Sequence, residues 1–262
     1  MRSNLTTRSL AVLAACALAA PAMAWQCAAQ SQSGTTALVE LYTSEGCSSC
    51  PPADRWLSAL GKTGPTGSVV PLALHVDYWD YLGWRDPFAK HGFSLRQREL
   101  ATLRRAAFVY TPQVLLQGED FRGWDSEAFD KQLARINAQP ALAAIRLSLT
   151  RTRRNDLSVE ARAKLTGARD SSGVALYLAS YANRLVSRVQ RGENEGRSLT
   201  HDFVVVDLAG PLDFGPEGRV SAKRDLALLA GTSASHAGVA AFVQDRRSAK
   251  ILQALMLPVC PG

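Results

Sequence analysis

From Thr36 onward the chain first alternates short apolar runs with amphipathic stretches. Thr36 to Tyr42 is mostly apolar, with Gly34 before it and Ser44-Glu45-Gly46 after it, the pattern of a buried strand. Ala53 to Leu60 puts Trp56, Leu57 and Leu60 on one helical face, with Gly61 just past the end. Val69 to Val76 has too few polar interruptions for a half-exposed strand and reads as a second buried one. Pro87 to Ala107 predicts a helix carrying Phe88, Phe93, Leu95, Leu100 and Leu103, and Val114 to Leu116 a strand closed by Gly118. Ser126 can cap a helix running to Asn137, with Phe129, Leu133 and Ile136 three and four apart. Strand and helix in strict alternation predict an α/β layer.

The period changes after Pro140. Ile145, Leu147 and Leu149 alternate with polar residues, as do Leu157, Val159, Ala161, Ala163 and Leu165 after the turn Arg154-Asn155-Asp156. Further strands are expected over Val174 to Tyr181, His201 to Leu208, Arg224 to Leu229 and Val239 to Gln244. Such alternation between turn clusters describes an all-β unit, most simply a sandwich. The chain therefore divides near Ala138 into residues 25–138 and 139–262, preceded by a leader over 1–24.

That leader has Arg2 and Arg8, an apolar stretch from Leu10 to Ala20, and the small-x-small site Ala22-Met23-Ala24, which predicts an exported chain, periplasmic or secreted. Leu13-Ala14-Ala15-Cys16 also resembles a lipobox, so anchoring through Cys16 is the alternative. No stretch reaches the apolar length of a membrane-spanning helix. Apolar residues at 47% against 20% charged exclude wholesale disorder. The formal charge of +7 falls to +5 without Arg2 and Arg8. It is dispersed, with no basic stripe interleaved with aromatics, so nucleic acid is not an expected partner.

Removing the leader leaves Cys27, Cys47, Cys50 and Cys260, which allow three pairings. If Cys47 pairs with Cys50, then Cys27 and Cys260 remain, either as a staple between chain ends or as two separate thiols. Cys47-Ser48-Ser49-Cys50 falls between a predicted strand and a predicted helix, where unpaired N–H groups and the helix dipole favour thiolate. One thiolate can attack a disulfide and the second resolve the mixed disulfide. A zinc site would need two more ligands, and no second C-x-x-C or nearby His pair supplies them. A structural disulfide without activity is the plainer alternative.

Tyr110-Thr111-Pro112-Gln113, followed by Val114-Leu115-Leu116 and Gly118, resembles the cis-proline loop and following strand of thioredoxin-like proteins, a resemblance covering residues 36–138. It implies that Thr111 and Pro112 help position a client disulfide. The runs Tyr42-Thr43-Ser44-Glu45-Gly46-Cys47-Ser48-Ser49-Cys50-Pro51-Pro52-Ala53-Asp54 and His75-Val76-Asp77-Tyr78-Trp79-Asp80-Tyr81-Leu82-Gly83-Trp84 are similar to the secreted bacterial family called domain of unknown function 1223. That likeness continues through Ala241-Phe242-Val243-Gln244-Asp245 and carries no assigned activity. The expected fold class is an α/β thioredoxin-like domain followed by a β-rich, sandwich-like domain.

Departures from thioredoxin bear on the chemistry. Gly46 stands where thioredoxins have Trp, and Pro51 and Pro52 follow the pair, so the helix is expected to start near Pro52 or Ala53, further from Cys47. Glu45 adds a negative charge that opposes the Cys47 thiolate. Asp77 is a candidate proton acceptor for Cys50. Tyr78, Trp79 and Trp84 are a candidate platform for a client peptide or plain packing, and Asp86 a helix cap before Pro87. His75 with two thiolates would suit copper(I) or zinc, against the ordinary reading of a core histidine. His91, His201 and His236 show no ligand spacing, and Gly192-Glu193-Asn194-Glu195-Gly196 reads as a polar turn or a contact site.

These readings converge on an exported thiol–disulfide oxidoreductase. Cys47 is the attacking and Cys50 the resolving thiol, Thr111 and Pro112 position the client, and protein thiols or disulfides are the partners. No cofactor and no metal are implied. The alternatives are a binding module with a structural disulfide and a metal-handling protein.

Overall fold

The structure, a computed structural model, describes residues 26–63, 67–152 and 156–260; the leader with Cys16, and Arg154 and Asn155 of the turn, lie outside them. The first half contributes β1 (Gln26–Gln30), β2 (Ala37–Thr43), α1 (Cys50–Thr63), β3 (Val69–His75), α2 (His91–Leu103), β4 (Gln113–Leu116), β5 (Glu119–Asp120) and α3 (Glu127–Asn137). The second contributes β6 (Ala143–Arg151), β7 (Leu157–Leu165), β8 (Val174–Ala182), β9 (Leu185–Arg188), β10 (Ser198–His201), β11 (Val204–Asp213), β12 (Arg219–Leu226), β13 (Ala237–Asp245) and β14 (Ile251–Pro258).

The organising element is an eight-stranded sheet in the order β14-β13-β8-β11-β3-β2-β4-β5, which runs without a break from the second half of the chain into the first. β2 and β3 pair in parallel from Ala37↔Val69 to Thr43↔His75, and β4 runs antiparallel to β2. Across the junction β3 meets β11 in parallel at Ala73↔Val204, and the Ala73 N–H donates to the Phe203 carbonyl at 2.8 Å. A second sheet, β1-β6-β7-β12, is antiparallel throughout.

Three cores follow from the strand faces. Ala37, Val39 and Leu41 of β2 face Ala53 and Leu57 of α1 and Phe129, Leu133 and Ile136 of α3. Leu38 and Tyr42, on the opposite face, join Tyr177, Ala179 and Phe242 under Phe93 and Leu100 of α2. Ile145, Leu147, Leu149, Val159 and Ala161 of the smaller sheet pack on Leu176, Leu178, Val239 and Ala241 of the larger one. The alternation read along β7 is the burial observed there, while β8 is buried along its whole length.

The expected fold class is corrected. The described residues are predominantly strand, with three α-helices, and they do not form a helix-rich α/β thioredoxin-like unit with a separate β-rich neighbour. Strands β2 to β5 are instead one wing of the large sheet. The reason lies at the edge of β3. A strand buried on both faces has backbone donors and acceptors that must be paired, and β11 joins its outer edge at Ala73. Periodicity shows which side chains face inward and is silent about edges.

Two helices also shift their ends. α1 begins at Cys50, because Pro51 and Pro52 fall in its first turn, where no N–H partner is required. α2 starts at His91 instead of Pro87 and ends at Leu103, with Arg105 at φ +53° just beyond. The hydrophobic pattern does not predict strands β1, β5, β9, β10 and β14.

Candidate functional site

β2 and β3 end side by side, at Thr43 and His75, and the two loops leaving those ends build the site. After Thr43 the chain turns tightly: Cys47 N–H donates to the Ser44 carbonyl at 3.2 Å, and Gly46 N–H to Ser44 Oγ at 3.1 Å. Cys47 and Cys50 form a disulfide with Cα atoms 5.5 Å apart, and Cys50 opens α1. Both cysteines are buried at 0% exposure, whereas Ser48 and Ser49 between them are exposed.

Thr111 and Pro112 precede β4, whose Gln113 is registered opposite Tyr42 of β2, and the peptide between them is cis. Trp79 ties this loop to the cysteine turn. Its indole N–H donates to Thr111 Oγ1 at 2.7 Å, and its Cβ lies 3.0 Å from where a side chain at Gly46 would begin. A Trp at position 46 has no room here; Trp79, from the β3 loop, fills that space. Cys47, Cys50, Thr111 and Pro112 therefore gather at one end of the sheet.

Asp77 is drawn elsewhere. Its carboxylate accepts from His91 Nδ1 at 2.8 Å and from the Ser94 hydroxyl, both on α2. Partial burial opposes its ionisation, but those two bonds outweigh it and hold the carboxyl below the ordinary range. Of the aromatics, Tyr78 donates its hydroxyl to Gln97 at 3.1 Å, and burial pushes its pKa up to about 12. Trp84 donates its indole N–H to Glu45 at 2.8 Å. The polar tips of all three are thus spent inside the protein, and within this segment Tyr81, 79% exposed, is the aromatic that faces water.

Flanking the cysteines is a buried cluster of three carboxylates and two imidazoles. Asp86 Oδ2 accepts from His75 Nδ1 at 2.7 Å and from the Glu45 N–H at 2.9 Å, and its Oδ1 takes the Phe88 N–H at 2.9 Å. Its role is therefore to join the two loops, not to cap α2, whose N-cap Lys90 makes no side-chain cap. His201, at the end of β10, brings Nε2 within 3.2 Å of Glu45 and Nδ1 within 3.7 Å of Asp54, and its ring lies 4.9 Å from that of His75. Thr43 donates its hydroxyl to Asp54 at 2.8 Å. His75 Nε2 and His201 Nδ1 are buried with no hydrogen-bond partner among the described residues.

Burial alone would depress the His75 imidazole, but the Asp86 carboxylate, with Asp54 and Glu45 behind it, raises it above its ordinary value. Burial likewise pushes the Asp54 carboxyl up, and there the histidines only partly offset it. In Asp86 the His75 charge and the hydrogen bonds outweigh burial and hold the carboxyl low. The cluster can hold protons out of water on residues that flank the cysteine pair in the chain. A metal is a poorer fit: His75 gives its Nδ1 to Asp86, and no group of three His, Cys, Asp or Glu among the described residues is arranged to hold an ion.

The second half of the chain also reaches the cysteine turn. Ser48 donates both its N–H, at 2.9 Å, and its hydroxyl, at 2.7 Å, to Glu193 Oε2. Buried Asn194 donates its amide to the carbonyls of Glu45 and Cys47, each at 2.9 Å. No spacing in the sequence points to His201, Glu193 or Asn194; the polar run over residues 192–196 is the one signal.

Residues 38–244 match the family described as Protein of unknown function (DUF1223), and the chain belongs to that family. A crystal structure of a protein from Agrobacterium tumefaciens is similar at a TM-score of 0.64 and 26% identity, over 88% of this chain and 98% of that one. HBP35 of Porphyromonas gingivalis is similar at a TM-score of 0.62 and 16% identity, over 87% of this chain and 76% of that one, a likeness of fold. No curated protein matches the chain.

Proposed function

We propose that this member of the family Protein of unknown function (DUF1223) exchanges thiols and disulfides with client proteins through Cys47 and Cys50. The observation that carries the reading is the Cys47–Cys50 disulfide at the start of α1, beside Thr111 and Pro112 at the same end of the sheet.

In the reducing direction, the Cys47 thiolate attacks one sulfur of a client disulfide. A Cys47–client disulfide forms, and the other client sulfur leaves as thiolate. The Cys50 thiolate then attacks Cys47, restoring the intramolecular disulfide and releasing the second client thiolate, so the client gains two electrons and the protein loses two. The oxidising direction is the reverse, and the relative stability of dithiol and disulfide on each side sets which one runs. Thr111 and Pro112 position the client chain. The two disulfides and the leader pattern together support an oxidising, exported setting. No helix among the described residues is long and apolar enough to cross a membrane.

Insulin reduction or refolding of scrambled ribonuclease tests this, with Cys47→Ser and Cys50→Ser as controls: turnover by the wild type and loss in both variants is expected, and its absence in the wild type overturns the reading. Burial of both sulfurs favours a second reading, an inert bridge in a binding module. A Cys47–Cys50 reduction potential below about −300 mV would decide for it.

A further inference from the structure

The cysteine pair is enclosed although the two serines between its members are exposed, and part of the enclosure comes from far along the chain. The segment Val189–Arg197 closes on itself: Val189 N–H donates to the Arg197 carbonyl at 3.0 Å, Gly196 N–H to Val189 at 2.9 Å, and Arg197 N–H to Asn194 at 3.1 Å. These bonds tie Glu193 and Asn194 into one closed loop. Gly192 and Gly196 bracket its tip at φ +81° and +79°, a conformation that suits glycine.

Its contacts to the cysteine turn go mostly to main chain. Asn194 holds the carbonyls of Glu45 and Cys47 while its own Oδ1 accepts from Arg197 at 2.7 Å, so every polar atom of that buried amide works on the closure. Glu193 sits outside, exposed, on the N–H and hydroxyl of Ser48. The inner residue fixes the path of the turn through Cys47, and the outer one occupies the outermost donors on it.

We propose that Glu193 and Asn194 form a strap that holds the cysteine turn shut, so that release of this strap sets the rate at which a client sulfur reaches Cys47. The strap is a regulating feature of the exchange site and rests on the exchange reading for its purpose, although its mechanical action does not. Asn194 and Glu193 act as positioning residues, through the backbone of residues 45–48.

The test uses the full oxidised chain treated with dithiothreitol, quenched with iodoacetamide at intervals, with each disulfide followed separately by peptide mass. Cys27–Cys260 serves as the internal control. Asn194→Ala and Glu193→Ala are expected to open Cys47–Cys50 about tenfold faster than the wild type, the effect of losing one or two hydrogen bonds. Cys27–Cys260 should open at an unchanged rate. Glu193→Gln, which still offers Ser48 an oxygen, should restore most of the protection. Should Asn194→Ala expose both disulfides by unfolding, the exposed Glu193 decides the matter alone. Unchanged Cys47–Cys50 rates in folded variants overturn the strap. Insulin turnover in the same preparations separates the two claims. Faster opening without turnover in any form leaves the strap standing and removes the exchange reading; turnover with unaltered opening and unaltered client rates removes the strap alone.

Discussion

Asp86→Asn perturbs the buried cluster with little change of shape. The native carboxylate faces three donors, the Glu45 and Phe88 N–H groups and His75 Nδ1, at 2.7 to 2.9 Å, with His75 at 0% exposure and Asp86 at 3%. An amide presents one oxygen and one NH2, so in either orientation a donor is turned on a donor. Stripping one buried donor costs about 1–3 kcal/mol. Losing the charge opposite His75 brings the total to about 3–5 kcal/mol, the range for breaking a buried pair. In a chain of this length that lowers the melting temperature by about 10 °C.

The pH dependence is the sharper signature. In the wild type His75 titrates above its unfolded value, so its contribution to stability is full below the unfolded pKa of 6.5 and is lost as pH rises through the folded value. Without Asp86, burial, the largest single influence on His75, is opposed only by the charges of Asp54 and Glu45, so the imidazole falls and the variant loses the stability that His75 supplies on the acid side. Asp86 itself titrates low, and its contribution is lost only as pH falls below the ordinary carboxyl range. Urea unfolding of both forms with disulfides intact, between about pH 5 and pH 9, spans the His75 change, with the raised Asp54 carboxyl of the same cluster coupled to it. The gap between wild type and variant should widen toward acid by about 1.4 kcal/mol for each pKa unit that the carboxylate imposes on His75. A gap that is flat with pH, or smaller than about 1 kcal/mol throughout, would refute the coupling.

Other perturbations follow from single contacts. Arg96→Ala should cost about 4 kcal/mol in urea unfolding, because it strands buried Glu40, whose Oε1 lies 2.7 Å from Arg96 Nε. The paired change Glu40→Leu with Arg96→Met should cost less than that single change, since no buried charge is left alone. Gly118→Ala, at φ +81° and with its new methyl driven into the Ala249 carbonyl, should lose about 3 kcal/mol by the same measurement. Serine replacement of Cys27 and Cys260, which close a loop 233 residues apart, should cost about 5 kcal/mol, against about 2 kcal/mol for the loop of Cys47 and Cys50. Equal losses for the two pairs would contradict the loop-entropy argument.

What the sequence disclosed and what it withheld divide along physical lines. The C-x-x-C between strand and helix was legible because strand end, turn and helix start are local, and each leaves its own residue types. Trp79 was legible as an aromatic near the site but not as the group that occupies the space over Gly46, since that depends on how two loops meet. Asp86 looked like a cap because Pro87 follows it; its real partners, His75 and the Glu45 N–H, sit 11 and 41 positions away. The two prolines after Cys50 favour a delayed helix start, yet α1 begins at Cys50, because the first turn of a helix has no use for their missing N–H groups.

The mistaken fold class and the unseen strap share one cause. Hydrophobic periodicity reports which side of a strand is dry, so β2, β3 and β8 were each found. It holds no information on which strand lies along which edge, and here β11 joins β3 and merges the two halves into one sheet. That same joining carries β10 to α1 and sets His201 against Glu45 and Asp54. The loop between β9 and β10 delivers Asn194 to the carbonyl of Cys47. The candidate site is thus assembled from segments near residues 45, 79, 111 and 194, and its chemistry depends on an edge pairing that no local pattern encodes. Sulfur reactivity in this chain is accordingly expected to respond to changes some 150 residues from the cysteines as strongly as to changes beside them, with the 147-residue separation of Asn194 and Cys47 as its measure.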